Sequence, residues 1–574
     1  MGDTKNTFEA IVIGSGMSGG WAAKEFCEKG LKTLLLERGR DVVHLKDYPT
    51  TNMLPWEFKH RGQVPYEIAK ANPVITRCYA FKEDAMHFFV KDTEHPYVQE
   101  KPFDWIRGYQ VGGKSIMWAR QTQRWSDFDF EGPARDGFAV DWPIRYKDLA
   151  PWYSYVEKFA GISGNKDGLD TLPDGEFLPA WELTCVENHF KDTLSKSYKD
   201  RHVIYARCAH VSQPQPIHIE QGRGQCQTRN LCQRGCPFGG YFNANSTTIP
   251  WAQKTGNLTM RTHAIVHSII YDEAKQSAGS GGKATGVRII DAITKQVTEY
   301  FAPVIFVNAG AINSNLILLN SISKRFPNGL GNDSGLLGKY FAFHNYRARI
   351  SAKYEGMQDS KTEGGRPTGA YIPRFRNVRK QETDFLRGYA CTFSAGRYGG
   401  GVNPESLFGE ELKNKLLDTS APLGPWNVGS QCMGETIPKA TNFINLDNSK
   451  KDEWGMPLLN FNVAYDDNDE KMIKDFMEQY TEMFEKAGFT DIKATDSKQA
   501  PGLDIHEMGG VRMGRDPKTS LLNGWNQLHA CPNVFVTDGA CMTSTSTQNP
   551  SLTYMALTAR AANHAVDLLK KGEL

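Results

Sequence analysis

The chain of 574 residues has no apolar run approaching the roughly 20 consecutive residues that a membrane-spanning helix needs. It also lacks a charge excess. With 67 basic against 65 acidic residues, no whole-molecule field draws it to nucleic acid or to an anionic lipid surface, so partners must be recognised at local sites. The N-terminal MGDTKNTFEAIVIG enters an apolar segment with no basic stretch and apolar core ahead of it, and the expectation is a chain without its own signal peptide. Asn6, where a Ser or Thr would be needed, makes a poor myristoylation match. No internal repeat is evident. Of 11 cysteines, eight are scattered singly, the pattern of reduced, mostly buried thiols, and three are clustered. At 40% hydrophobic and 23% charged, the composition is that of an ordinary globular enzyme.

The most informative stretch runs from Glu9 to Gly39. Ala10-Ile11-Val12-Ile13 reads as a buried parallel strand that stops at Gly14-Ser15-Gly16-Met17-Ser18-Gly19, the spacing G-x-G-x-x-G. A helix follows, with Ala22, Ala23 and Phe26 free to face a sheet and Gly30 as a stop; Thr33 to Leu36 is a second strand ending in Glu37 and Arg38. Gly14 permits a sharp turn, Gly16 presents no Cβ to a pyrophosphate, and Gly19 lets helix and strand approach closely. The helix N-terminus offers N–H groups and a positive dipole end to phosphates. Glu37, eighteen residues past Gly19, is placed for ribose hydroxyls. Strand, glycines, helix, strand and acid in register predict a dinucleotide site and not a ligand-free glycine loop, with NAD and FAD both open at this point.

Residues 41 to 102, rich in Pro, Trp, His and charge, form an excursion over the substrate side, too long for a crossover. Gly112-Gly113, inside the bulky stretch 107 to 118, implies a backbone against which something flat or charged lies. A helix is expected near 146 to 160, then a loop-rich region to about 200. Segments 258–270, 284–290 and 297–309 read as strands of the nucleotide sheet resuming, with a hairpin tip at 276–283. Asn308-Ala309-Gly310 is a second strand-to-helix bend. Residues 353 to 495 read as a separate antiparallel lobe with a strand at Asn442 to Leu446 and an amphipathic helix near 469 to 486. The C-terminal part returns to the sheet with a strand at 533–537 leading to Asp538 and Gly539, and closes on a helix near 550–570.

Two motifs frame the chemistry, His506-Glu507-Met508-Gly509-Gly510-Val511-Arg512-Met513-Gly514 and Gln548-Asn549-Pro550-Ser551-Leu552-Thr553. Together with the N-terminal dinucleotide strand, the V-G-G-x-S segment from Val111 and V-x-D-G ending at Gly539, they resemble the glucose-methanol-choline family of FAD oxidoreductases. The resemblance covers both ends and the middle of the nucleotide domain. It implies an α/β fold: a discontinuous Rossmann-like FAD-binding domain (1–45, 103–135, 200–345 and 500–574, including a cysteine loop at 224–240) with an inserted α+β substrate domain on an antiparallel sheet, the latter and its covering segments at 46–102, 136–199 and 346–499. It implies His506 as the base that takes a hydroxyl proton while hydride leaves for the flavin, and Asn549 as the group holding the substrate oxygen. An imidazole accepts a proton near neutral pH, and an amide orients an alcohol without competing for that proton.

The same resemblance chooses FAD, held by Gly14, Gly16, Gly19, Glu37, Arg38, Gly112, Gly113, Ser115, Val266, Ala309, Asp538, Gly539, Asn549 and Pro550. Met117 stands where some relatives carry a flavin-tethering histidine, so the FAD is expected to be non-covalent. Cys226, Cys232 and Cys236 are spaced C-x5-C-x3-C-P, and thiolates so close can converge on a soft metal. The spacing resembles that of bacterial sugar dehydrogenases of this family whose catalytic subunit carries a [3Fe-4S] cluster. Zinc, with His210 or His218 as a fourth ligand, and three structural thiols are the other readings. A sugar dehydrogenase is implied, acting on a glucoside C3 or an aldonate or ketose secondary alcohol, with a small subunit that carries the export signal, a cytochrome c-type acceptor and a periplasmic site reached by co-export; a cytoplasmic enzyme is the alternative. An oxygen-using, pyranose-oxidase-like enzyme and a non-catalytic nucleotide-binding or electron-transfer scaffold are the competing functions.

Overall fold

The computed structural model describes residues 6–274, 282–361, 366–397, 407–417 and 423–574. The expected hairpin tip at 276–283 falls, up to residue 281, outside the described residues.

The elements that place the site are β1 (Ala10–Ile13), α1 (Met17–Glu28), β2 (Thr33–Leu36), β3 (Leu258–Arg261), β4 (Val304–Val307), α2 (Ala311–Asn320), β5 (Cys531–Val536) and α3 (Ser551–Lys571). The sheet order is β5-β4-β1-β2-β3, all parallel, with Gln527–Leu528 added antiparallel on the outer edge of β5. β1 is central, its Ile13 level with Val307 of β4 and Leu36 of β2. Every residue of β1, β2 and β4 is buried, which is why these segments are unbroken apolar runs and not alternating ones. α1 buries Ala22, Ala23 and Phe26 in one core with Val12, Leu35 and Phe306 of the sheet and with Ala561, Ala562 and Ala565 of α3.

Only parts of the three middle segments join that sheet. Ala264–Asp272, Lys283–Asp291 and Val297–Phe301 form an antiparallel sheet of their own. The reason is connection length: five residues between Asp291 and Val297 close a hairpin, whereas neighbouring parallel strands need a crossover of a dozen or more residues. His263, at a φ of 54°, turns the chain from β3 into this sheet.

The second lobe is built on an antiparallel sheet in the order Thr490–Asp496, Ala348–Tyr354, Trp426–Glu435, Tyr389–Gly396, Ala370–Ile372, Ile204–Tyr205. Helix Asp467–Lys486 is capped by Asp466, whose carboxylate accepts from the Asp469 N–H, and lays Met472, Ile473, Phe476, Tyr480, Met483 and Phe484 on that sheet. Ile204–Tyr205, expected with the nucleotide unit, is an edge strand here. Conversely, helix Tyr146–Ala160, expected with the substrate lobe, shares the core of the parallel sheet, and its Tyr153 hydroxyl bonds Thr553 of α3 at 2.8 Å. The strand expected at 442–446 is Phe443–Lys451. It pairs with Pro457–Asn462 in a small sheet completed by Val98–Gln99, apart from the large one. Among the described residues no helix is long and apolar enough to cross a membrane.

Candidate active site

One continuous cavity opens at the carboxyl ends of β1 and β4 and beyond β5, where a crevice in a parallel sheet receives ligands. Its wall includes Gly14, Gly16, Glu37, Arg38, Gly113, Ser115, Val266, Ala309, Asp538, Gly539, His506, Asn549 and Pro550. Gly19 and Gly112 are not on that wall.

The three glycines of the first turn do different work. Gly14 has a φ of 91°, and a Cβ there would collide with the Asn308 carbonyl at the end of β4. A Cβ on Gly19 would fall inside the contact radius of the Gly14 carbonyl oxygen, so this glycine is demanded by helix–strand packing. Gly16 alone faces open space: the nearest atom to an added Cβ is Gly112 O at 3.9 Å. That empty position at the N-terminus of α1 is what a phosphate needs. Glu37 is buried. Its carboxylate accepts from Ser15 N–H (3.1 Å), Ser15 Oγ (2.5 Å) and Gly39 N–H (2.9 Å), while burial raises its pKa. Its carbonyl accepts from Ala264 N–H, which brings Val266 to the same wall. Arg38 lies over the Tyr109 ring, 4.6 Å from its centroid, and bonds His95.

In the V-G-G segment Gly112 has a φ of 87°, and a side chain there would displace the Asn245 amide, which donates to Val42 O and Val111 O. Gly112 is therefore fixed by the protein's own packing. Ser115 donates to Gly112 O (2.5 Å) and accepts from Ala244 N–H, pinning the turn that presents Gly113. Asp538 accepts from Gly310 N–H, Ser314 Oγ and Ala540 N–H, and burial pushes its pKa up to about 6.

At the far end Asn549 Nδ2 lies 3.2 Å from His506 Nε2, and His506 Nδ1 lies 2.8 Å from Nδ1 of His344. The partners assign the protons. His344 Nε2 faces two carbonyl oxygens, Thr545 O and Ser546 O, and must donate. Its Nδ1 is then the acceptor, His506 Nδ1 is the donor, and the lone pair of His506 is left on Nε2, beside Asn549. Burial, with the His344 and Lys114 charges adding to it, lowers the pKa of His506 well below the ordinary imidazole value; burial lowers that of His344 to about 4. Both rings are neutral at physiological pH. His344 sits in the unremarkable run Phe343-His344-Asn345 with no motif around it, and sequence reasoning missed it. Asp504, also missed, receives the His344 N–H at 2.9 Å, and burial raises its carboxyl to about 7.

Cys226, Cys232 and Cys236 are half-buried around a second, smaller cavity that His210 also lines. His210 is buried with neither ring nitrogen partnered, whereas His218 is used by Gln215 N–H and Lys158 O. The Tyr241 hydroxyl touches Ile116 O, next to Ser115, and Cys232 O at 3.2 Å, so this side chain links the cysteine loop to the segment that carries Ser115.

A glycine-turn crevice on a parallel sheet, sharing one cavity with a neutral imidazole and an amide, defines an oxidoreductase of the α/β class with several sheets. The chain belongs to the GMC oxidoreductase family: the N-terminal family model matches residues 11–345 and the C-terminal one 438–558. It is similar to the 2-methyl-1,2-propanediol dehydrogenase of Mycolicibacterium austroafricanum (28% identical, covering 97% of this chain and 94% of the relative). It is also similar to the fructose dehydrogenase large subunit of Gluconobacter japonicus (25%, 98% of each) and to the gluconate 2-dehydrogenase flavoprotein of Pantoea cypripedii (24%, 96% and 92%). Members of the family bind FAD and act on alcohol groups.

Proposed function

We propose that this chain is an FAD-dependent dehydrogenase that oxidises a sugar secondary alcohol, a glucoside C3 or an aldonate or ketose hydroxyl, to the carbonyl. The observation that carries this reading is the single cavity joining the glycine turn to the His506–Asn549 pair. Non-covalent FAD, when bound, supplies the acceptor for the carbinol hydride. Gly16 and the α1 N-terminus would hold its diphosphate, Glu37 and Arg38 its adenosine end, and Gly113, Ser115, Asp538 and Gly539 the rest of it. His506 Nε2 takes the hydroxyl proton, and Asn549 orients the substrate oxygen beside it. The wall adds Tyr79, Trp105, Arg120, Gln121 and Tyr346, aromatic faces and polar groups of the kind a sugar requires.

Cys226, Cys232 and Cys236 would hold a [3Fe-4S] cluster; their lining of one small cavity with the unpartnered His210 supports this reading. Such a centre would carry electrons outward to a cytochrome c-type acceptor. One relative is named as a large subunit, which supports a small partner subunit here; such a partner would carry the export signal and bring the chain to a periplasmic site by co-export. The test is an anaerobic screen of glucosides, aldonates and ketoses for bleaching of the yellow enzyme. Bleaching by a sugar is expected; no bleaching by any of them contradicts the reading, and peroxide production in air favours an oxidase.

A further inference from the structure

The loop that presents Asn549 is held by a buried ionic cluster none of whose members lines the cavity. Ser546 has a φ of 57°, a left-handed backbone that a serine adopts only when surrounding contacts enforce it. Those contacts come from one guanidinium and one carboxylate. Arg374 Nη2, just past strand Ala370–Ile372 of the antiparallel lobe, donates to Asp129 Oδ1 (2.8 Å) and lies 3.3, 3.1 and 3.5 Å from Ser546 Oγ, Thr547 Oγ1 and Gln548 Oε1. Asp129, in the short helix Asp127–Phe130, accepts from Ser546 Oγ (2.7 Å) and Gln548 Nε2 (3.3 Å). Arg374 and Asp129 side chains are each 1% exposed, and Glu435 and Arg387 extend the cluster behind them. The carbonyls of Thr545 and Ser546 are the acceptors that fix His344 as an Nε2–H donor.

Taken together, one clamp sets two things: where Asn549 stands, and which nitrogen of His506 keeps its lone pair. We propose that Arg374 and Asp129 are positioning residues for the hydride-transfer pair, acting across the two lobes through loop 545–548. This rests on the assignment of His506 and Asn549 above. Arginine suits the place by its shape: Nη2, with two hydrogens, is shared among Asp129 and the loop oxygens, while Nη1 lies 3.4 Å from Glu435, two nitrogens on one plane where a lysine ammonium is a single point charge. A loss of placement of about 1 Å at reacting groups costs on the order of 100-fold in rate.

The experiment compares Arg374→Lys, Ser546→Ala and His506→Ala with the wild type as FAD-loaded proteins, using a sugar that bleaches the flavin. For Arg374→Lys the expected result is a kcat per bound FAD lowered by at least about ten-fold with KM within about three-fold, and a larger deuterium isotope effect from substrate labelled at the carbinol carbon. Ser546→Ala, which removes the hydroxyl link without disturbing a buried charge, is expected to move kcat and the isotope effect the same way, and it decides the question if Arg374→Lys fails to fold. A purely structural role would lower thermal stability and leave kcat per bound FAD and the isotope effect at wild-type values; that result in Ser546→Ala, or in a folded Arg374→Lys, overturns the proposal. Loss of turnover in His506→Ala alone would reject the clamp and keep the catalytic pair, whereas normal turnover in His506→Ala would reject both.

Discussion

His506 Nε2 keeps its lone pair because His344 Nε2 is committed to two carbonyls, a chain of three hydrogen-bonding groups that acts before any substrate arrives. Replacing His344 by Phe leaves the His506 Nδ1–H without an acceptor in a buried site, at a cost of about 1–3 kcal/mol, so kcat is expected to fall by roughly ten-fold or more. His344→Gln, whose amide oxygen can accept, should retain more activity than His344→Phe, and steady-state kinetics on FAD-loaded protein checks the order. The pH profile follows from the same burial. A base whose pKa is lowered in the folded protein stays unprotonated below the ordinary imidazole range, so kcat/KM should remain level as pH falls through about 6.5 and decline only at more acid values. A limb centred at 6.5 or above that persists in Asp504→Asn, which removes the carboxyl raised to about 7, would contradict a buried neutral His506. His506 and Asn549 were legible because they lie in motifs. His344 and Arg374 were not, since each comes from a segment with no local signature, His344 to meet His506 and Arg374 to meet loop 545–548; Asp504, two residues before His506, shows its role only through its bond to the His344 backbone.

At the scale of elements, the first strand–turn–helix was readable in detail because its constraints are local: the apolar run, the left-handed Gly14 and the acid after β2 are set by neighbours in sequence. The glycines nevertheless divide into two kinds that sequence cannot separate. Gly19→Ala places a methyl against the Gly14 carbonyl and forces α1 off β1, so both thermal stability and FAD content should drop. Gly16→Ala meets nothing closer than 3.9 Å, so the apoprotein should melt as the wild type does while FAD affinity falls. Titration of apoprotein with FAD, alongside melting curves, separates the two. The segments between β3 and β4 read as strands of the nucleotide sheet resuming because strand periodicity carries neither direction nor partner. Direction was set by the five-residue link between Asp291 and Val297, which only an antiparallel hairpin can use. Helix Tyr146–Ala160 went to the wrong core for a related reason: its amphipathic pattern says that one face is buried, not against what.

For the whole molecule, a sheet assembled from residues near 10, 35, 260, 305 and 535 means that the second lobe is inserted into the first, which the matching character of the two chain ends already indicated. The substrate lobe was legible only as a texture, because antiparallel strands of mixed composition carry no motif that names a ligand. Under the proposed function the cysteine loop would hold the cluster through which electrons leave the flavin. Anaerobically purified protein is expected to contain about three irons with acid-labile sulfide per chain. Iron-free protein with full turnover would remove the cluster from the account and leave the alcohol oxidation standing.

Whether His506 and Asn549 act on an alcohol over a flavin seated by the glycine turn is decided by rapid mixing of the FAD-loaded enzyme with a bleaching sugar under anaerobic conditions. Flavin reduction is expected to be fast in the wild type and slower by at least about 100-fold in His506→Ala with FAD still bound. Equal rates in the two proteins would contradict the account.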